Sequence, residues 1–564
     1  MESLATKRAK RFTWDDKRFQ EEIRTKLEHI YNLQADDLLG FARERLGSRL
    51  ESLDGYLKEL DSKQLQDALR ASLLLFTVSR EQMVPREMQL DCLHSMAARK
   101  NSMVNASTGS GKTIAMLLPI LLEPEGISLV ISPLKQLQTN QVTEFAFFGI
   151  ATAAINSDTP QERHAEEFWA RVRQGDFPII IVSPESFGPF EGGRQMPRFA
   201  SMLSDNYLRY GSRISRVFVD EAHFIYTSGV LLHGAQPSRR AYGKLGDAIR
   251  LRLPKNTPVQ ALSGTLPQHI KWVIQATLHF GPVHTWDFIK YTSNRSNITY
   301  VFWEVMGSLN TFENLNFIFP LAHGAKILIY FDDINQVAAA TTYLQSFLSQ
   351  EDRIRGVVRE YHSEMSDEYR RRVYQEFSCP DGNTRVLLTM SACAVGVDIS
   401  NVTIVIQWGV CCNIPDWRQR GGRVARSPGI QGLYITFVES WVKGKVPPDE
   451  IDGDPDTPLV SPLPDKAASK HQRVGSAMIK LVKNTSLCVR DFLAAYFDDT
   501  TLERTLCTNM WCCDRHPANP IDYSRWFTGS RLTVPPPAAR RVNPSDRRDP
   551  KRPEGERKHP QTNF

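Results

Sequence analysis

The sequence predicts an α/β chain built on two tandem parallel sheets, with a helical N-terminal region and a small helical C-terminal segment that carries cysteines. Three observations lead there. Short apolar strands alternate with helical stretches in two successive series, the pattern of parallel sheets with helices on both faces. The 564 residues exceed what one core serves, since single cores rarely grow beyond about 250–300 residues, and a hydrophobic content of 41% is ample for several. A glycine-rich turn also stands between a strand and a helix near residue 110.

That turn reads Val104-Asn105-Ala106-Ser107-Thr108-Gly109-Ser110-Gly111-Lys112-Thr113, with an apolar run directly after it. Small residues let successive backbone N–H groups close around a β-phosphate at a helix N-terminus. Thr108, Gly109, Ser110 and Gly111 would form the cradle, Lys112 would reach the β/γ-phosphates, and the Thr113 hydroxyl is set to ligate Mg²⁺. ATP is the expected ligand. A strand at 217–219 ends in Asp220-Glu221-Ala222-His223, so two carboxylates stand at the edge of the same sheet. Asp220 is expected to hold Mg²⁺ with Thr113, and Glu221 to orient and deprotonate an attacking water.

The chain in order divides as follows. Residues 1–80 read as an accessory helical region, with Phe19, Ile23, Leu27 and Ile30 along one face. The basic cluster Lys7 to Arg11 reads as a solvated, disordered end. Residues 81–290 hold the first strand series, at 127–132, 179–182, 217–219 and 259–262; residues 291–440 hold the second, at 327–331, 386–389, 404–408 and 433–438. Residues 441–468, with six prolines among many acids, read as a surface linker. Helices and four of the nine cysteines occupy 469–526. Beyond 527 a Pro- and Arg-rich tail has too little apolar surface to fold. A net charge of +6 permits a polyanionic partner without demanding one. Nine cysteines are too few for a disulfide scaffold, the N-terminus is not a signal peptide, and no apolar run approaches the roughly 20 residues of a membrane span. A reducing, intracellular location without membrane contact is expected.

With their surroundings, these motifs resemble superfamily 2 helicases, and more closely the RecQ family of DNA helicases, over residues 84–516. Arg86-Glu87-Met88-Gln89 is similar to that family's adenine-recognition motif, in which Arg86 would stack on the base and Gln89 bond its edge. Ser132-Pro133-Leu134-Lys135-Gln136-Leu137 with Gln141, Asn156-Ser157, and Ser183-Pro184-Glu185 resemble its DNA-facing loops, so Ser132, Pro133, Lys135, Ser183 and Pro184 are candidate DNA contacts. Ser263-Gly264-Thr265, Arg295-Ser296-Asn297 and Tyr361-His362-Ser363 fall in order between the outer motifs. Thr389 to Asp398 is similar to helicase motif V, which adds Gly396 and Asp398 to the nucleotide set. Gln419-Arg420-Gly421-Gly422-Arg423-Val424-Ala425-Arg426 is similar to motif VI, which adds Gln419. Charge gathers on the γ-phosphate in the transition state, and Arg423 or Arg426 delivered from a second domain would neutralise it when the cleft closes.

The resemblance implies two RecA-like domains, single-stranded or partially duplex DNA as partner, 3′-to-5′ movement and a nuclear role in repair or recombination. It also implies a zinc-binding subdomain with Cys488, Cys513, His516 and either Cys507 or Cys512 as ligands, four donors closing a tetrahedral Zn²⁺ site. The family ends this motif in Cys-x-x-Cys-Asp-x-Cys. Here His516 stands for the last cysteine and Met510 occupies an earlier ligand position, and adjacent Cys512 and Cys513 are not expected to aim at one metal. The loop after Asp220-Glu221 keeps only scattered aromatics, and no winged-helix segment follows His516, so strand separation is expected to be weaker than translocation. An RNA helicase, or a helicase-derived DNA-binding protein, are the rival readings. Arg86 with Gln89 and the cysteine segment argue against the first, and the retained Lys112, Asp220, Glu221, Arg423 and Arg426 argue against the second.

Overall fold

A computed structural model describes residues 2–159, 165–188, 196–205, 209–319, 325–390, 399, 401–427, 429–464 and 469–523. Gly396, Asp398 and the tail expected beyond residue 527 lie outside the described residues. Two parallel sheets dominate. The first takes β1 (Asn101–Asn105), β2 (Ile127–Ile131), β3 (Thr152–Ile155), β4 (Ile179–Val182), β5 (Ile214–Val219), β6 (Val259–Ser263) and β7 (Trp286–Lys290) in the order β3-β4-β2-β5-β6-β1-β7. The second takes β8 (Ile298–Glu304), β9 (Lys326–Phe331), β10 (Val358–Tyr361), β11 (Val386–Met390), β12 (Val402–Gln407) and β13 (Gly432–Val438) in the order β10-β11-β9-β12-β13-β8.

Central strands are apolar on both faces, as strands covered by helices on each side must be. Side-chain alternation sends Val130, Ile179, Ile181, Phe218 and Leu262 to one core, and Leu129, Ile131, Ile180, Val182 and Val219 to the other. The first of these cores is shared with the N-terminal helices. Ile23, Leu27 and Ile30 of the helix Lys17–Asn32, and Leu69, Leu73 and Leu74 of the helix Ser62–Val78, are buried with Met116 to Leu122 of the helix that follows the glycine-rich turn. Asp16 caps the first of these helices by accepting from Arg18 and Phe19 N–H, and Asp61 with Gln64 forms a capping box on the second.

Two expectations change here. The basic N-terminus is docked rather than loose: Leu4–Ala9 is helical, Arg8 pairs with Glu125, Arg11 donates to the carbonyls of Pro124 and Gly175, and Phe12 is buried. Its arginines find partners more than 100 residues away, which no local charge pattern reveals. The stretch expected as a surface linker is likewise packed over its described part. Asp454, Asp456 and Thr457 are buried, Leu459 N–H donates to Val474 O, and Ser476 N–H donates to Thr457 O. Its acids are drawn in by histidines and tyrosines of other segments. Among the described residues no helix is long and apolar enough to cross a membrane.

Because the N-terminal helices and the first sheet share one core, they should lose stability together. Leu74→Ala, at a fully buried position, is expected to cost about 2–5 kcal/mol in urea unfolding, whereas Leu4→Ala, 58% exposed, should be nearly silent.

Candidate nucleotide cleft and nucleic-acid groove

The glycine-rich turn leaves the C-terminal end of β1, with Ala106 N–H on Ser263 O, and enters the helix Lys112–Leu122 through two left-handed glycines, Gly109 at φ 83° and Gly111 at φ 84°. Only glycine adopts such angles at little cost. The helix's first turn, whose N–H groups have no acceptor within the helix, follows directly on this loop. Lys112 Nζ donates to the carbonyls of Ala106 and Ser107 at 3.3 Å each. Desolvation lowers its pKa, opposed by Glu221 and Asp220.

β5 lies between β2 and β6, so Asp220 and Glu221 emerge at the middle of the sheet's edge. Asp220 accepts from Glu221 N–H at 2.9 Å and from Gln141 Nε2 at 2.8 Å. Gln141, matched by resemblance to a DNA-facing loop, is instead buried behind this carboxylate. Burial and the neighbouring Glu221 raise Asp220 to about 7, against the pull of Lys112. Burial would raise Glu221 as well, yet His223, Lys112, Arg423 and Arg426 hold it below the ordinary carboxylate range. Glu221 sits at φ 48°, and its buried Oε2 has no hydrogen-bond partner. A non-glycine residue held there is strained in the manner common at functional sites.

The second domain closes directly over this edge. Gln419 Nε2 lies 2.8 Å from His223 Nε2 and 3.2 Å from Thr265 Oγ1, and His223 Nδ1 lies 3.0 Å from Ser263 Oγ. Thr108 Oγ1 donates to Gly422 O at 3.3 Å. Arg295 donates to Thr108 O, Gly422 O, Val424 O and Ala425 O, which binds the glycine-rich turn to the loop that carries Arg423 and Arg426. Both arginines act electrostatically on Lys112 and Glu221. Gln89 is placed otherwise than the resemblance suggests: its Nε2 donates to Ser110 O and Gly111 O, while Arg86 is exposed beside it. The role of Arg295 was absent from the candidate site residues, although its Arg-x-Asn pattern marked the position.

On the same side of the molecule a groove of about 1040 Å³ runs between the sheets, lined by Pro133, Lys135, Asn156 and Ser183 from the first and by Tyr361 and Arg370 from the second. Ser132 and Pro184 are buried beneath it. Gln138 joins the three loops, donating to Ser132 O and Ser183 Oγ and accepting from Asn156 Nδ2. Arg239 and Arg370, which sequence reasoning missed, add positive charge. Lys135 is paired with Asp158 and Arg239 with Glu185. The aromatics after Glu221 are turned inward: Phe224 stacks on buried Tyr242, and Tyr226 is buried and donates to Asp454.

At the far end of the chain, residues 512–514 pair with the outer edge of β8 through Tyr300 N–H to Cys512 O and Asp514 N–H to Tyr300 O. One ligand atom each of Cys488, Cys512, Cys513 and His516 lies within 4.8 Å of the others. Cys488 Sγ stands 3.4 Å from Cys512 Sγ and 3.9 Å from Cys513 Sγ, close to the roughly 3.8 Å between thiolates sharing a tetrahedral zinc. The buried His516 Nε2 makes no hydrogen bond. The donor set therefore fits zinc, and the expectation that adjacent Cys512 and Cys513 diverge is corrected: the chain turns after Cys513 instead of continuing as a strand. Cys507 stands outside the quartet, with its Sγ on Asn509 O.

Comparison with known proteins agrees with this architecture. The DEAD/DEAH box helicase family matches residues 86–273, and the helicase conserved C-terminal domain matches residues 310–428. The ATP-dependent DNA helicase RecQ of Haemophilus influenzae is 26% identical over 357 residues, covering 63% of this chain and 51% of that protein. The ATP-dependent DNA helicase Q1 of Mus musculus is 24% identical over 421 residues, covering 73% and 57%. This chain thus spans a little over half the length of these curated relatives. Among solved structures, S. cerevisiae Dbp5 bound to RNA and ADP BeF3 aligns with TM-score 0.50 at 17% identity, covering 66% of this chain and 87% of that one, a likeness of fold. With the DEAD/DEAH box helicase domain and the helicase C-terminal domain matched in order over more than half of its length, the chain belongs to the DEAD/DEAH box helicases, and it is similar to the RecQ and Q1 DNA helicases.

Proposed function

We propose that the chain is an ATP-hydrolysing DNA translocase that moves 3′ to 5′ along single-stranded DNA and opens short duplexes, in a nuclear repair or recombination role. The observation that carries this reading is the meeting of Lys112, Asp220 and Glu221 from one domain with Arg423 and Arg426 from the other. Arg86 and Gln89 receive the adenine, with Gln89 exchanging its loop carbonyls for the base edge. Thr108 to Thr113 cradle the phosphates, and Lys112 moves from the carbonyls of Ala106 and Ser107 onto the β/γ-phosphates. Mg²⁺, which Thr113 and Asp220 would hold, would supply charge neutralisation at those phosphates; Glu221 Oε2 beside Asp220, buried without a hydrogen bond though 3.4 Å from His223 Nδ1, supports a cation or water at that point. Glu221 is kept ionised by its cationic neighbours and so is fit to orient the attacking water. Arg423 and Arg426 stabilise the charge gathering on the γ-phosphate. Gln419 and Arg295 carry the state of the cleft to the second domain, with Gly396 and Asp398 as further proposed contacts. DNA lies in the groove on Pro133, Lys135 and Ser183, held by phosphate contacts and largely without regard to sequence. Cys488, Cys512, Cys513 and His516 hold a structural zinc.

Two variants separate binding from chemistry. Lys112→Ala is expected to lose nucleotide binding or turnover. Arg426→Ala should keep affinity for a fluorescent ATP analogue while hydrolysis falls by about 10³-fold or more. Single-stranded DNA should stimulate the wild-type ATPase more than RNA of the same length, and the effect should decline steeply with salt. Equal stimulation by RNA would favour the RNA-helicase alternative.

The cysteine quartet has its own signature. Cobalt-substituted protein should show thiolate-to-metal charge transfer that is lost in Cys512→Ser and kept in Cys507→Ser, and chelation should abolish cooperative unfolding of the C-terminal segment. The reverse pattern would exchange the two residues' roles.

A further inference from the structure

A second cluster of ligating side chains lies away from the cysteines, where four stretches of chain converge. His233 follows the loop after Glu221, and His269 stands in the first turn of the helix Gln268–Thr277. Asp454 and Asp456 come from the proline-rich stretch expected as a linker. One ligand atom each of His269, Asp454 and Asp456 lies within 4.8 Å of the others. His269 Nε2 is 3.2 Å from Asp456 Oδ2 and 3.6 Å from Asp454 Oδ1, and His233 Nε2 is 3.0 Å from Asp454 Oδ2. Nitrogen and oxygen donors bound to one tetrahedral zinc at about 2.0–2.2 Å stand roughly 3.3–3.6 Å apart. The separations among His269, Asp454 and Asp456 approach those of an assembled site, whereas His233 stands outside that group and meets Asp454 alone.

Two further features point to a cation. Asp456 Oδ1 is buried with no hydrogen-bond partner, on a side chain only 4% exposed. Each carboxylate also accepts from a phenol: Tyr226 donates to Asp454 Oδ2, the oxygen that His233 meets, and Tyr496 to Asp456 Oδ2, the oxygen that His269 meets, both at 2.5 Å, while Asp454 Oδ1 accepts from Asp456 N–H at 2.8 Å. Outer hydrogen bonds of this kind orient metal-ligating carboxylates. Charge leads the same way, because two adjacent buried carboxylates need positive charge nearby, which one divalent ion would supply.

We propose that His269, Asp454 and Asp456 form a second site for a divalent transition metal, with His233 held against Asp454 beside it; the nitrogen and oxygen donors suit zinc. It ties the 454–456 stretch, through Tyr226 and His233, to the loop after Glu221 and, through Tyr496, to the helix Val489–Tyr496 that begins next to Cys488. The two metals then hold the C-terminal segment at both ends.

The test is metal stoichiometry and cobalt spectroscopy on the full chain, purified without chelator and dialysed against metal-free buffer. About two zinc ions per chain are expected for the wild type, and about one for Asp456→Asn and for His269→Gln. In the cobalt form, both variants should keep the thiolate charge-transfer band of the cysteine quartet and lose only the weaker, thiolate-free visible component. Retention of that band also shows that the variants remain folded, and Tyr226→Phe should lower metal affinity about 10-fold without displacing the ion at saturation. One zinc per chain in the wild type with a pure thiolate spectrum would overturn the proposal, as would two zinc ions in the Asp456→Asn, His269→Gln double variant. Failure of the cysteine quartet would read differently, as loss of the charge-transfer band with the weaker component intact.

Discussion

Charge neutrality across the cleft is the constraint on which the rest of the structure depends. Asp220 and Glu221 emerge side by side from a buried strand, with Lys112 and His223 of their own domain facing them. Arg423 and Arg426 supply further positive charge from the other domain, and Gln419 and Arg295 hold them there through hydrogen bonds to His223, Thr265, Thr108 and Gly422. Domain closure and the ionisation of Glu221 are therefore coupled. The environments of the two neighbouring carboxylates thus diverge, Asp220 pushed up to about 7 by burial and by Glu221, and Glu221 held down by the cations that face it. A bound Mg²⁺ would return Asp220 to its ionised form, so the cleft is electrostatically completed by its substrate.

Motifs whose chemistry is local were legible in the sequence. The glycine-rich turn needs left-handed glycines at fixed spacing before a helix, and the two acids need only a strand to carry them, so both could be read without tertiary information. The two sheets were legible for a similar reason, since a short apolar run flanked by helical pattern has few other uses. Side chains whose partners are distant were not. Gln141 faces Asp220 across 79 residues, and the acids around 454 meet two histidines and Tyr226 some 200 residues away in sequence. Composition made that stretch look like solvated linker because Asp and Pro are usually exposed, and nothing in its own sequence reports the partners that bury it. The cysteine segment failed in a subtler way. Strand alternation would drive Cys512 and Cys513 apart, but only Cys513 is bridged to Tyr300 and the chain turns immediately afterward, which frees both thiols to face one point.

The groove and the loop beside it are built on different energetic terms, and this bears on how a strand would be held. Lys135 with Asp158 and Arg239 with Glu185 are pairs whose acids are 68% and 51% exposed. Surface pairs of this kind contribute about 0–1 kcal/mol, so a phosphate can replace the carboxylate at little cost. The aromatic residues of the neighbouring loop have no such freedom. Phe224 is stacked on Tyr242, and Tyr226 is buried against Asp454; to reach a base, Tyr226 would have to abandon a charge-assisted hydrogen bond and leave a buried carboxylate short of a donor. The aromatics of the loop after Glu221 are therefore committed to the protein's own packing, and the charges of Lys135 and Arg239 are the groups that exchange partners most readily.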